Sequence, residues 1–316
     1  MQIIHTNDGL KAVLELDDAE IKWWRETIGK VRKKNIPPPK ESVETFFTNH
    51  FDAKSRMIKV DNISSLIREV RGGVWATFIQ YEIKFFSEIV GVLVQERDVP
   101  KEIMDALITE GTLMRLKDAA SRQELVNVIS EIYQDYTGRV FPYLYELSKS
   151  QTNSRRSRAG SEFEAIVDNL MKRQKIPYDS QSHLGQRTFS EKGLGKKVDG
   201  VIPGMKAFNT NRSKCIIATM KTTIRERWQE VVEELNRTNI PSIHLLTLDE
   251  GITSNVLTLM KNHNITLVTY REIKERHPAF TNIIDFETFF GTEIPHTLDW
   301  WSSQTHEDWV PDGYDA

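Results

Sequence analysis

The chain has 316 residues, 39% of them hydrophobic and 28% charged, with a net charge of −3. That mix supplies a sizeable core and a polar surface, which excludes a disordered chain, a collagen-like repeat and a low-complexity scaffold. No apolar run approaches the ~18 residues of a membrane span, and the start (MQIIHTNDGL) lacks a basic-then-apolar signal peptide. The one cysteine, Cys215, excludes an intramolecular disulfide and any multi-cysteine zinc site. The expectation is a soluble cytoplasmic protein without membrane contact.

Residues 1–150 read as mainly helical. Ile21, Trp24, Ile28 and Val31 recur at three- and four-residue spacing, as do Ile79, Ile83, Phe86, Ile89 and Val90. Pro37, Pro38 and Pro39 end the first helix, and further amphipathic stretches cover Glu102–Leu116 and Glu124–Tyr136. Gln151–Arg158 has no apolar residue and reads as a connection. Beyond it, Ser161–Arg173 is a helix with Phe163, Ile166, Val167 and Leu170 on one face. Lys197–Ile202 and Lys214–Lys221 follow as strands, and Arg225–Asn236 as a helix carrying Trp228, Val231, Val232 and Leu235 inward. Ile243–Leu248 and Ile265–Tyr270 are short apolar strands around the helix Ser254–Asn262. The order predicts an α/β fold with a mixed β-sheet flanked by helices. Residues 151–296 form this core, and 297–316, with five Asp/Glu and no Lys/Arg, form an acidic tail.

Charge is not spread evenly. Residues 151–237 hold 17 Lys+Arg against 10 Asp+Glu, whereas the whole chain holds 42 against 45. A basic segment in an acidic chain suits a local contact with a polyanion, with ordinary surface scatter as the competing account. No P-loop, HExxH helix or Gly-x-Ser-x-Gly elbow is present, so no nucleotide cofactor is expected.

What remains is a set of carboxylates and a lysine at strand and helix edges. Asp199 opens a strand in VDGVIP, Lys221 closes the next strand, and Glu234 lies on the helix after it. Asp199 and Glu234 can converge on a hard divalent cation, with Lys221 holding an attacking water, an arrangement suited to phosphodiester cleavage. Charged strand ends without such a role are the alternative. Ser161-x-x-Glu164 fits a helix-capping box, and Glu164 equally suits support of a metal. Arg225-Glu226-Arg227, at a helix start, suits two adjacent G·C pairs: arginine pairs with guanine O6 and N7, and glutamate accepts from cytosine N4. The alternative is a solvated helix start with self-neutralising charges.

The run VDGVIP…CIIATMKTTIRERWQEVVEEL, with SRAGSEFEAIVDNL upstream, resembles the type II restriction endonucleases of the EcoRII–SsoII–PspGI branch, bacterial enzymes that cut sites containing CCNGG. The likeness covers roughly Arg155–Leu248. The common PD-(D/E)xK nuclease pattern places an acid two residues before the lysine, where this chain has Thr219. In this branch the acid has moved to the helix, at Glu234, and the leading proline is replaced here by Val198. The resemblance implies that Asp199 and Glu234 bind Mg2+, that Lys221 orients the nucleophilic water, and that Glu164 supports the metal site. It implies that Arg225, Glu226 and Arg227 read CC·GG half-sites of double-stranded DNA. It further implies a homodimer, with a tetramer possible, and cuts leaving 5′ overhangs. Arg71 and Trp75, four apart in VRGGVWATF, are similar to the pair that receives flipped central bases, although Trp75 beside Phe78 also suits a core. Gln151 and Asn153 are candidate minor-groove contacts. The extra N-terminal length suits dimerisation or, as in a PfoI-like member, a longer site. A repair or junction-resolving nuclease of the same fold, or a non-catalytic DNA-binding protein, are the competing functions.

Overall fold

The structure is a computed structural model that describes residues 1–54, 56–191, 193–194, 198–224, 227–238, 240–304 and 309–311. Within helix 227–238 the side chains of Arg227, Glu234 and 236–238 lie outside the description, as do Arg225 and Glu226 altogether. Lys197, at the start of a predicted strand, lies outside it too.

The chain opens with a hairpin, β1 (Gln2–His5) and β2 (Lys11–Glu15). Helices α1 (Asp18–Asn35), α2 (Pro39–Phe47), α3 (Ile63–Glu96), α4 (Asp98–Leu107), α5 (Glu110–Asp118), α6 (Arg122–Arg139) and α7 (Phe141–Arg173) follow. Next come β3 (Asp179–Ser180), α8 (Gln181–Leu184), α9 (Gln186–Glu191), β4 (Gly200–Ile202), α10 (Met205–Asn211), β5 (Ile216–Lys221) and α11 (Arg227–Thr238). The chain then runs through β6 (Ile243–Thr247), α12 (Ser254–Asn262), β7 (Ile265–Thr269) and α13 (Arg271–Glu275). It ends with β8 (Ile283–Asp285), α14 (Phe286–Thr288) and α15 (Ile294–Ser302). Among the described residues no helix is long and apolar enough to cross a membrane.

Two compact units emerge, with bounds that differ from a division at residue 150. One comprises residues 1–38 and 75–157, the other 39–74 and 158–316. The chain passes between them at Pro38–Pro39, then inside α3 and again inside α7. The first unit has its own core, built from Trp24, Ile28 and Val31 of α1, Phe85, Ile89 and Leu93 of α3, and Tyr136, Val140 and Tyr143. Its hairpin was not anticipated from the helical periodicity. The Thr6–Leu10 turn supplies the reason: Gly9 adopts φ 80°, and Asp8 accepts hydrogen bonds from the Thr6 hydroxyl (2.5 Å) and the Leu10 N–H (3.1 Å).

The second unit holds a six-stranded sheet in the order β3-β4-β5-β6-β7-β8. β3, β4 and β5 pair antiparallel, and β5 to β8 run parallel. Strands buried on both faces read as continuous apolar runs, which is why IIATM of β5 and HLLT of β6 show little alternation. Ala218, Met220, Leu246 and Val268 pack toward Phe163, Ile166 and Leu170 of α7. Ile217, Leu245 and Leu267 pack toward Phe208, Val231 and Leu257. The sheet is thus clad by helices on both faces, as the sequence predicts.

Three local expectations are corrected. The polar run Gln151–Arg158 is not a connection but the middle of the 33-residue α7: it contains neither glycine nor proline, and its polar side chains find partners or solvent. Ser161 therefore cannot cap a helix start, and Glu164 closes no capping box; a related cap instead forms at α6, where Ser121 accepts from the Glu124 N–H and Glu124 reaches back to accept from the N–H of Ala120, the residue before the cap. Residues 297–302 are not peripheral, because Trp301 is buried and its indole N–H donates to the Lys214 carbonyl at 2.8 Å.

Candidate active site

The second unit brings Asp199, Lys221 and Glu164 together at one end of β5. Asp199 precedes β4 and is fixed by backbone bonds on both sides: its N–H donates to the Ala218 carbonyl and its carbonyl accepts from the Gln181 N–H, each at 2.9 Å. Its carboxylate accepts from the Met220 N–H (2.5 Å) and the Thr219 hydroxyl (3.2 Å). The Lys221 ammonium lies 3.7 Å from Asp199 Oδ2 and also donates to the Met220 carbonyl and the Thr219 hydroxyl. Thr219, at the place where the common nuclease pattern has an acid, is fully buried and bridges the two.

Glu164 sits on α7 facing the same cleft, one helical turn before Asp168. The cleft has a volume of about 230 Å3, and its walls include Glu164, Asp168, Asp199, Tyr178 and Gln181. Asp168 accepts from the Ser182 hydroxyl (3.1 Å) and lies 3.9 Å from the His183 ring, which in turn is 3.1 Å from Lys40.

Electrostatically, this is a cleft with too many carboxylates. Burial, then the neighbouring Asp199 charge, pushes the Glu164 carboxyl up to about 7, against the pull of Lys221. Burial raises Asp199 and Asp168 as well, opposed by Lys221 for the first and His183 for the second. Oxygen donors whose negative charge is uncompensated suit a hard divalent cation, so the residues present fit such an ion. Among the described residues no three acidic, histidine or cysteine side chains form a complete metal cage by themselves. Glu234 lies in α11, with its side chain outside the description.

The remaining sequence candidates divide. Arg225 and Glu226 lie outside the described residues, and Arg227 is the first described residue of α11. Trp75 is not a core residue: it is 42% exposed, with its ring 5.2 Å from Phe78 and the Arg155 guanidinium 5.5 Å from its centre. Arg71 donates to the Tyr270 hydroxyl at 3.4 Å. Gln151 is buried and its amide donates to Glu82, which turns it away from any groove contact in this structure, whereas Asn153 is exposed. Asp168 and Tyr178 were not singled out from sequence. Glu164-x-x-x-Asp168 is a one-face helical pair legible in hindsight, but nothing in the sequence marks Tyr178.

Comparisons with known proteins give the chain its family. The family described as EcoRII C terminal matches residues 123–290. The type II restriction enzyme SsoII of Shigella sonnei is 30% identical over 275 residues, 86% of this chain and 82% of that protein. Metal-depleted Ecl18kI in complex with uncleaved, modified DNA superposes with a TM-score of 0.69 at 29% identity, covering 93% of this chain and 89% of that one. The PspGI–substrate DNA complex, at 19% identity and a TM-score of 0.52 over 84% of this chain and 95% of the other, shares the fold. The chain therefore belongs to the EcoRII–SsoII–PspGI branch of the type II restriction endonucleases, with their PD-(D/E)xK fold.

Proposed function

We propose that this type II site-specific deoxyribonuclease hydrolyses double-stranded DNA at a palindromic site containing CCNGG, in a Mg2+-dependent reaction that leaves 5′ overhangs. The observation that carries the proposal is the convergence of Asp199 and Glu164 in one cleft rich in carboxylates, with Lys221 3.7 Å from Asp199. Asp199 and Glu234 would hold Mg2+, with Glu164 beside them. The bound ion supplies Lewis acidity for charge that builds on the scissile phosphate. Lys221, anchored by Thr219 and the Met220 carbonyl, holds and orients the attacking water through its ammonium N–H groups. The double backbone clamp on Asp199 keeps its carboxylate in place without help from a flexible loop.

Recognition is assigned to Arg225, Glu226 and Arg227 at the start of α11, whose types match two G·C pairs. Trp75 and Arg71 are assigned to the reception of flipped central bases; the exposure of Trp75 supports this, because a stacking platform needs an open ring face. Asn153 remains a candidate minor-groove contact, and Gln151 needs a rearranged α7 to serve as one. A palindrome read by one chain calls for a two-fold homodimer. The first unit offers an apolar surface for it, with Leu125, Ile129 and Tyr133 exposed at four-residue spacing along α6.

Plasmid digestion with Mg2+, followed by sequencing of the ends, tests the proposal. Discrete fragments with 5′ extensions at CCNGG-containing sites are expected. Random nicking, or cleavage of junctions only, contradicts it.

A further inference from the structure

Tyr178, just before β3, packs its ring across the neighbouring strand rather than along its own. The partner of Ser180 in that strand is Gly200, the residue after Asp199. A β-carbon on Gly200 would sit 2.5 Å from the ring carbon Cζ of Tyr178 and would overlap its hydroxyl, so the ring position and the glycine require each other. At its far end the hydroxyl is buried beside Asp168 and also feels the charges of Asp199 and Glu164, yet no hydrogen bond of full geometry satisfies it. A buried hydroxyl left in that condition is costly unless it has a purpose in the site it faces.

We infer that Tyr178 is a positioning residue for the cation-binding carboxylates, its ring seated on Gly200 and its hydroxyl lodged beside Asp168 in the cleft that Glu164 and Asp199 also line. This rests on the reading of the cleft as the cation site of a nuclease. Glycine in VDGVIP is then a specificity of the active site rather than of a turn. Alanine there would force the ring out of its place.

The test is calorimetric titration of Ca2+ into the full-length protein bound to the duplex that end sequencing identifies, for wild type, Asp199→Ala, Tyr178→Phe and Gly200→Ala. Phenylalanine keeps the ring and removes only the hydroxyl. The expected result is a melting temperature for Tyr178→Phe close to wild type, unchanged metal-free DNA affinity, and Ca2+ half-saturation raised about 10-fold. Gly200→Ala is expected to show the same Ca2+ defect with the tyrosine still present. If Tyr178→Phe takes up Ca2+ as wild type does, or loses only melting temperature, the positioning role is overturned while the site assignment stands. If wild type takes up no Ca2+, or Asp199→Ala takes it up equally well, the underlying site assignment is what fails.

Discussion

Two carboxylates in the core of the first unit and the three in the cleft of the second are handled in opposite ways. In the first, Glu20 is met by the Arg97 guanidinium and the Tyr143 hydroxyl (2.5 Å), and Glu82 by Arg155 and the Gln151 amide. Each negative charge has a guanidinium and a neutral donor, and the result is a cross-link between helices. In the second, Glu164, Asp168 and Asp199 share one cleft with Lys221 3.7 Å from Asp199; burial drives all three toward protonation, and the charges of Asp199 and Asp168 add to it at Glu164. Paired buried charge is architecture; unpaired buried charge is a place prepared for a cation.

Substitutions should therefore act in opposite senses in the two units. The largest effect is expected at the cleft: Asp199→Ala should lower cleavage at least about 1,000-fold while a gel shift still detects specific DNA binding, because charge stabilisation at the phosphate is lost and groove contacts are not. Cutting at the wild-type rate would remove Asp199 from the mechanism. Next comes the paired carboxylate. Glu82→Ala should destabilise the protein by about 1–3 kcal/mol in urea unfolding, since Gln151 is left buried without its acceptor; an unchanged midpoint would show that the cross-link carries no weight.

Arg227→Ala should cost about 1–3 kcal/mol of discrimination between cognate and single-substituted duplexes, read as a ratio of affinities. An unaltered ratio would place the reader elsewhere.

The smallest effect has the opposite sign to that of Glu82. The Glu164 carboxyl of the folded, metal-free protein sits at about 7, above the ordinary 4.5, so protonation favours the folded state. That contribution is complete below pH 4.5 and is lost as pH rises through about 7. Glu164→Gln should accordingly raise metal-free stability at pH 8 by on the order of 1–2 kcal/mol, with little difference at pH 4.5, because its solvent contact reduces the penalty. Melting curves that do not separate at pH 8 would mean that the carboxyl is better solvated than its position implies.

Much of the second unit was legible in the sequence because its signals are local. Apolar runs such as CIIATM mark doubly buried strands, and Asp199 and Lys221 stand at strand ends where side chains meet. The hairpin at the start was missed because helical spacing later in the chain outweighed the Asn-Asp-Gly turn. The nature of α7 was missed because a polar run without apolar periodicity looks like a linker, although it lacks any helix breaker. Ser161-x-x-Glu164 misled for the same reason: a capping motif means nothing in the middle of a helix. Tyr178 was invisible because its importance comes from a strand pairing with Gly200, which no spacing reveals.

Heat and proton exchange on cation binding test the central claim most directly. Ca2+ is titrated near pH 7 into the protein–duplex complex, in two buffers of different ionisation enthalpy. Proton release on binding is predicted for wild type, with release diminished in Glu164→Gln, since the ion must displace the proton that burial, reinforced by the Asp199 charge, has placed there. Binding without proton release, or release untouched by Glu164→Gln, would contradict it.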